Sequence, residues 1–352
     1  MLADIRLQNF RSYTDQSFEF ESGVNIIVGP NASGKTNLLE SILVIARGKS
    51  YRVKDRDLVQ FKKDWLRIDT ILDNNSIRTV KIDLNKNNKT YEIDDKQFIR
   101  LTLAHTLPVV LFEPNHLLLL SGSPDSRREY IDDLLEYTSP GFGTIRRQYK
   151  RVLAQRNALL KQQSTKVDQF FPWNIRLSQL AGKIVKSRIE IIDYLNDNIK
   201  DSYKEISKTK ITAKLIYKSS WLDSYESKML KELESNLELD RIRGYTSSGP
   251  HRDDITALLN DRNTSEVASR GEARTIILSL KIAELKLYKD INENMSPILL
   301  LDDVFSELDG SRRHALTDHI NNYQTFITTT DADAALENFK VKANIIPITR
   351  PK

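Results

Sequence analysis

The chain has 352 residues, 39% hydrophobic and 29% charged, long enough for two domains or for one large domain with an insertion. It contains no cysteine, which excludes disulfides, thiolate metal sites and cysteine nucleophiles. Lys and Arg number 53 against 48 Asp and Glu, and the formal charge of +5 permits nucleic-acid binding without demanding it. Asp4 and Arg6 interrupt any apolar opening, so the first residues do not read as a signal peptide. The longest apolar stretches, such as 42–46 and 117–120, are too short to span a bilayer, and a cytoplasmic protein without a membrane partner is expected.

Ile5 and Leu7 alternate with Arg6 and Gln8 and predict a strand; Phe18 and Phe20, alternating with Glu19 and Glu21, predict a second. Ser22-Gly23 turns the chain, and the run Val24 to Val28 suits a strand buried on both faces. Leu38, Leu39, Ile42, Leu43 and Ala46 make one apolar face of a helix from Lys35 to Arg47, ended by Gly48. From Leu66 to Phe98 the pattern has period two, broken by polar turns at 73–75 and 85–88, and predicts antiparallel strands; 107–112 is a further short strand.

Beyond Pro114, helices are expected over 127–137, 144–163 and 173–206. The two long ones, joined by a short polar link, predict a hairpin that either projects from the body or packs on it. After Arg243 the chain alternates again, with strands at 255–259, 297–301, 324–328 and 345–348 and helices at 272–287 and 311–320. The fold class is therefore α/β: a head built from 1–112 and 244–352, sharing one sheet, with an inserted helical arm over 113–243.

Between the third strand and its helix lie Gly29, Pro30, Asn31, Ala32, Ser33, Gly34, Lys35 and Thr36, which read G-x-x-x-x-G-K-T. A phosphate-binding loop needs a buried strand to aim it and a helix N-terminus to receive the anion, and both flank this stretch. The glycines let backbone N–H groups turn inward, Lys35 would reach the β- and γ-phosphates of ATP, and the Thr36 hydroxyl would sit on Mg²⁺. An ordinary glycine turn would not require all four fixed positions in this setting. Near the other end, the apolar run 297–301 delivers Asp302 and Asp303. Asp302 would hold Mg²⁺ through water and Asp303 would polarise the attacking water. Ser269, Arg270, Gly271 and Glu272 open a helical run whose N–H groups suit a phosphate, although a simple helix cap reads the same way.

The order is phosphate loop, long insertion, S-x-G-x at a helix start, then the carboxylate strand, followed by Ser306, Glu307, Leu308 and Asp309 as a D-loop. This is the layout of ABC-type ATPases. The chain resembles the RecF family of DNA replication and repair proteins, in the structural-maintenance and Rad50-like branch of that class. The resemblance rests on Asn9-Phe-Arg-Ser-Tyr13, Gly29 to Asn37, Gly122-Ser-Pro-Asp-Ser-Arg-Arg128 and Gln155-Arg-Asn157. Thr246 to Asp254, Ser269 to Arg274, Leu300 to Asp309 and Thr328 to Asp331 extend it over essentially the whole chain. The strings Gly249-Pro-His-Arg-Asp-Asp254 and Leu301-Asp-Asp-Val-Phe-Ser-Glu-Leu-Asp309 are narrow ones.

The resemblance implies a head that forms an ATP-dependent homodimer, with the loop of one copy and the Ser269–Glu272 signature of the other enclosing nucleotide. It implies a weak, DNA-stimulated ATPase that binds duplex and gapped DNA, works with RecR and RecO, and helps load the RecA recombinase. The chain departs from the wider pattern at several points. Asp303 stands where many such ATPases have Glu, which implies slow turnover. No Q-loop glutamine is evident, with Glu113 or Asn115 nearest in place, and the switch histidine is absent, leaving Thr330 or Asp331 as the sensor. Ala32 replaces a frequent glycine, which is tolerable if its φ is negative.

Arg11, in a turn after the first strand, is a possible nucleotide contact. For DNA phosphates the basic runs are Arg47, Lys49, Arg52, Lys54 and Arg56, and Arg146, Arg147, Lys150 and Arg151. Either run also reads as a solvated surface. A transporter ATPase subunit would need a far shorter span between Thr36 and Ser269, and a condensin-like protein a far longer coiled coil. A nucleotide-dependent scaffold with little turnover is the remaining alternative.

Overall fold

The computed structural model describes residues 1–162, 164–292, 295–305, 308–320, 322–331 and 343–349. Contacts divide the chain into two compact units: Met1–His116, Glu205–Lys208 and Ile277–Lys352 in one, Leu117–Lys204 and Thr209–Ile276 in the other.

The first unit opens with β1 (Asp4–Phe10) and β2 (Tyr13–Glu19), followed by β3 (Val24–Val28), α1 (Lys35–Arg47) and the single turn α2 (Asp55–Leu58). β4 (Trp65–Ile71), β5 (Ile77–Asp83), β6 (Asn88–Ile93) and β7 (Lys96–Phe98) complete an antiparallel sheet of order β2-β1-β4-β5-β6-β7. β8 (Val109–Phe112) follows.

The second unit holds α3 (Leu118–Ser121), α4 (Pro124–Thr138), α5 (Phe142–Leu160) and most of α6 (Phe171–Ser207). Ser123 caps α4, with Pro124 in its first turn. β9 (Ala213–Lys218), α7 (Tyr225–Ser235), α8 (Leu237–Arg243), β10 (Asp254–Leu259), β11 (Arg262–Asn263), α9 (Thr264–Val267) and the start of α10 (Arg270–Ile291) complete it. β9 lies in a span read as helical, where Ala213, Leu215 and Tyr217 alternate inward and pair with β10. Residues 244–276, signature included, thus fall in the second unit together with the helical span. The long helices are no bare hairpin. Arg156 of α5 donates to Asn174 of α6 at 2.8 Å, and Arg188 of α6 pairs with Asp132 of α4 at 2.8 Å.

The chain then returns to the first unit with β12 (Ile298–Leu301), α11 (Gly310–Ile320), β13 (Thr325–Thr329) and β14 (Asn344–Pro347). These strands join the N-terminal ones in a parallel sheet of order β14-β3-β13-β12-β8, so the two ends of the chain do share one sheet. α1 touches strands of both sheets, and Leu38 through Ala46 are buried all round, not along one face. Glu40, caught in that core, is matched by Arg11 at 2.8 Å and by the Ser50 hydroxyl.

Candidate nucleotide site

β3 feeds a loop whose backbone is demanding. A Cβ on Gly29 would lie 2.3 Å from the Ile348 carbonyl oxygen, so only glycine fits there. Gly34 caps α1 at φ +110, and its carbonyl accepts the Tyr13 hydroxyl at 2.9 Å. Ala32 does not meet the condition set for it: its φ is +63, in the left-handed region, which disfavours alanine by on the order of 1 kcal/mol. Lys35 is buried and its ammonium curls over the loop, donating to the carbonyls of Gly29 at 2.9 Å and Pro30 at 3.2 Å. The Ser33 hydroxyl is buried without a partner. An unmatched hydroxyl, a buried ammonium and a helix N-terminus together fit an anion.

Thr36 and Asp302 are 266 residues apart in sequence, yet the Thr36 hydroxyl donates to Asp302 Oδ1 at 2.9 Å. β12, held between β8 and β13, aims Asp302 from its C-terminal end. Thr328 Oγ1 also donates to Oδ1 at 2.9 Å, and the Tyr51 hydroxyl donates to Oδ2 at 3.2 Å. Burial and the Asp302 charge push the Tyr51 hydroxyl well up, so it stays protonated and remains a donor. The same two causes raise the Glu113 carboxyl. Asp303 takes φ +52, and its N–H donates to Thr328 Oγ1 at 2.8 Å. A strained carboxylate next to a buried one is a feature of functional sites.

Thr36 and Asp302 supply oxygen only, which suits Mg²⁺. Among the described residues no cluster of three metal-binding side chains exists, so the ion would complete its shell with water and nucleotide phosphate.

In the second unit Ser269 caps α10. Its Oγ accepts from the Glu272 N–H at 3.3 Å while its own N–H donates to Glu272 Oε2 at 2.8 Å, a reciprocal capping box. Ser269 and Arg270 are exposed. Of the D-loop, Ser306 and Glu307 lie outside the described residues; Leu308 is buried and Asp309 accepts the Arg312 N–H at 3.0 Å at the start of α11.

The RecF/RecN/SMC N terminal domain family matches residues 1–347. A curated relative, the DNA replication and repair protein RecF of Halothermothrix orenii, is 36% identical over 93% of this chain and 91% of its own length. The chain belongs to the RecF family. A solved structure of the recombination mediator protein RecF-ATP in the RecFOR pathway superposes with a TM-score of 0.86 at 29% identity, covering 94% of this chain and 92% of that one. An Smc head bound to the C-winged helix domain of ScpA shares the fold at TM-score 0.56 and 15% identity, over 96% and 91% of the two chains.

The remaining residues singled out on RecF-family grounds divide. Arg11 is engaged by Glu40 and by the Asp57 carbonyl at 3.0 Å, so it braces α1. Two of the DNA candidates need correction. Arg47 donates to the Val109 carbonyl and, at 2.9 Å, to the Tyr288 hydroxyl, inside the unit. Arg146 is buried among Glu129, Asp132, Asp133 and Glu136, because its position on α5 faces the acidic side of α4. Lys49, Arg52, Lys54 and Arg56, and Arg147, Lys150 and Arg151, are exposed. Thr330 and Asp331 are exposed too, and it is Thr328 that touches Asp302. Sequence reasoning missed Tyr51 and the role of Thr328. β13 is buried at every position, so no alternation marked which threonine of 328–330 faces the carboxylate.

Proposed function

We propose that this chain is an ATP-dependent DNA-binding protein of recombinational repair and replication, a weak, DNA-stimulated ATPase acting in the cytoplasm. The observation that carries the reading is the Thr36–Asp302 contact, which joins a phosphate loop to a buried carboxylate across 266 residues. On nucleotide binding, Lys35 leaves the carbonyls of Gly29 and Pro30 for phosphate oxygens, and the orphan Ser33 hydroxyl gains an acceptor. Thr36 and Asp302 would hold Mg²⁺, which would neutralise phosphate charge. Asp303 orients the attacking water, with Thr330 or Asp331 as sensor.

The helix start Ser269–Glu272, whose first two residues are exposed, serves the nucleotide of a second copy. The positive end of its helix dipole then neutralises charge that one loop handles incompletely. ATP is thus the adhesive of a homodimer that holds duplex or gapped DNA through phosphate contacts from Lys49, Arg52, Lys54, Arg56, Arg147, Lys150 and Arg151. Hydrolysis loosens the dimer. RecR and RecO as partners, and help in loading RecA, are part of the same proposal and rest on the family resemblance.

The test is ATP-dependent dimerisation on gapped DNA. Lys35→Ala should lose nucleotide binding, Ser269→Arg should bind ATP yet stay monomeric, and Asp303→Asn should accumulate as a DNA-bound dimer. Normal dimerisation of Ser269→Arg would sink the shared site. The shorter Asp303 favours a second reading, a scaffold that hardly turns over; single-turnover hydrolysis with and without duplex DNA separates the two.

A further inference from the structure

Between the bridge that pairs Val59 with Phe10 and the start of β4, the chain makes a tight turn. The Lys63 N–H closes it on the Gln60 carbonyl at 3.0 Å, leaving Phe61 and Lys62 at the corners. Corners of turns favour Gly, Asn, Asp and Pro for backbone reasons. Here one corner is a phenylalanine 85% exposed, the most exposed large apolar side chain among the described residues, and the other a lysine at φ +64. Core packing accounts for neither.

The surroundings have one chemical character. Trp65, 46% exposed, heads the outward series Trp65, Arg67, Asp69 of β4, opposite the buried Leu66, Ile68 and Thr70. The Lys62 ammonium lies 5.7 Å from the centroid of the Phe61 ring, and Lys63 is exposed beside it. The β5–β6 turn brings Lys86 to the same end: Asp83 pairs with Trp65 in register, and the Leu84 N–H donates to the Asp64 carbonyl at 2.8 Å. Asp64 and Asp83 are the carboxylates here, Asp83 in a half-exposed ion pair with Lys86 at 3.8 Å, and Lys62, Lys63 and Lys86 outweigh the two by one charge. Arg52, Lys54 and Arg56, all exposed, lead into the turn.

We propose that this end of the sheet, with Phe61 and Trp65 as faces and Lys62, Lys63 and Lys86 as phosphate donors, is a stacking platform for the unpaired bases of single-stranded nucleic acid. Every base offers a π-face, so aromatic side chains flanked by cations bind a strand with little regard to sequence. A peptide added to the sheet would need a free strand edge, and β4 is paired on both sides, with β1 and β5. The inference rests on DNA being a ligand of the chain and names the unpaired strand as the part met here.

The test uses the full chain, a labelled oligothymidylate of about twenty nucleotides, an abasic strand of the same length, and a blunt duplex, all at one salt concentration. Phe61→Ala and Trp65→Ala should each weaken the oligothymidylate about ten-fold and the duplex less than about two-fold, and should not alter binding of the abasic strand. ATP titration should be unchanged in both variants, which checks the fold. Equal losses on strand and duplex, or no loss on either, would overturn the platform. Wild type that binds the strand through Phe61 but shows no ATP-dependent hold on duplex would instead break the proposed clamp and leave the platform standing.

Discussion

In the first unit α1 is enclosed by apolar side chains from two sheets, among them Ile5, Leu7, Ile27, Leu66, Ile68, Val80 and Phe326. Among the described residues of the second unit the largest fully buried side chain is charged. Arg156, 0% exposed, reaches Asp240 and Thr246 at 2.8 Å each, and Arg188 ties Asp132 to the Pro250 carbonyl. The apolar core is made of many small, interchangeable terms, so losing one group leaves the others in place. The ionic core is made of few directional ones, and losing one partner strands the other away from water. The first arrangement tolerates the loss of a single contact; the second fixes one geometry around Gly249 to Asp254.

The largest expected effect breaks that contrast open. Arg156→Ala should lower stability by about 3–5 kcal/mol, by leaving Asp240 buried and unpaired. Ile42→Val in α1 should lower it by only about 0.5–1.5 kcal/mol. The tryptophans allow separate readouts in urea melts, since Trp65 lies in the first unit and Trp173 and Trp221 in the second. Arg156→Ala should shift the Trp173 and Trp221 signal and spare that of Trp65. A common shift would mean the units melt as one.

An acid titration sharpens the contrast next. His251 accepts from Tyr149 at 2.6 Å and donates to the Thr246 carbonyl at 3.1 Å. Burial first, then Arg252, Arg128 and Arg188, lower it from 6.5 to about 4. The unfolded chain therefore takes up a proton before the fold does. Stability present above pH 6.5 should fall as pH drops toward about 4, by up to about 3 kcal/mol, and then level off. Burial raises Asp253 and opposes part of this fall. His251→Gln should flatten the slope in that window; an unchanged slope would exclude the histidine as its source. The smallest effect belongs to the phosphate loop. Ala32→Gly removes left-handed strain but adds freedom to the unfolded chain, so the net change should stay within about 0.5 kcal/mol, with ATP affinity a more sensitive gauge.

The parts of this molecule that a sequence displays best are those whose chemistry is contiguous. Gly29 to Thr36 announces itself because strand, turn and helix start are neighbours in the chain, and the apolar run before Asp302 does the same. β3 and β12 were equally plain, since strands covered on both faces are nearly continuously apolar, Asn25 being the one polar residue in the two. The second unit hid its organisation. Arg146 and Arg147 are adjacent residues of one helix, yet one is surrounded by four carboxylates and the other faces solvent, and only the partner helix decides which. β9 was masked because its pairing strand is far along the chain. Thr328 was masked because three threonines in a row carry no phase.

The contact between Gly29 and the Ile348 carbonyl carries a consequence for how the chain is made. β3 lies between β13 and β14, so both of its hydrogen-bonding edges wait for strands encoded some 300 residues later. At a synthesis rate of about 5–20 residues per second, the phosphate loop leaves the ribosome roughly 15–60 s before the residues that frame it. During that interval an apolar strand with two open edges is exposed to every neighbouring chain. The nascent polypeptide thus carries an unpaired apolar strand beside its phosphate loop until the strands that cover it have been made.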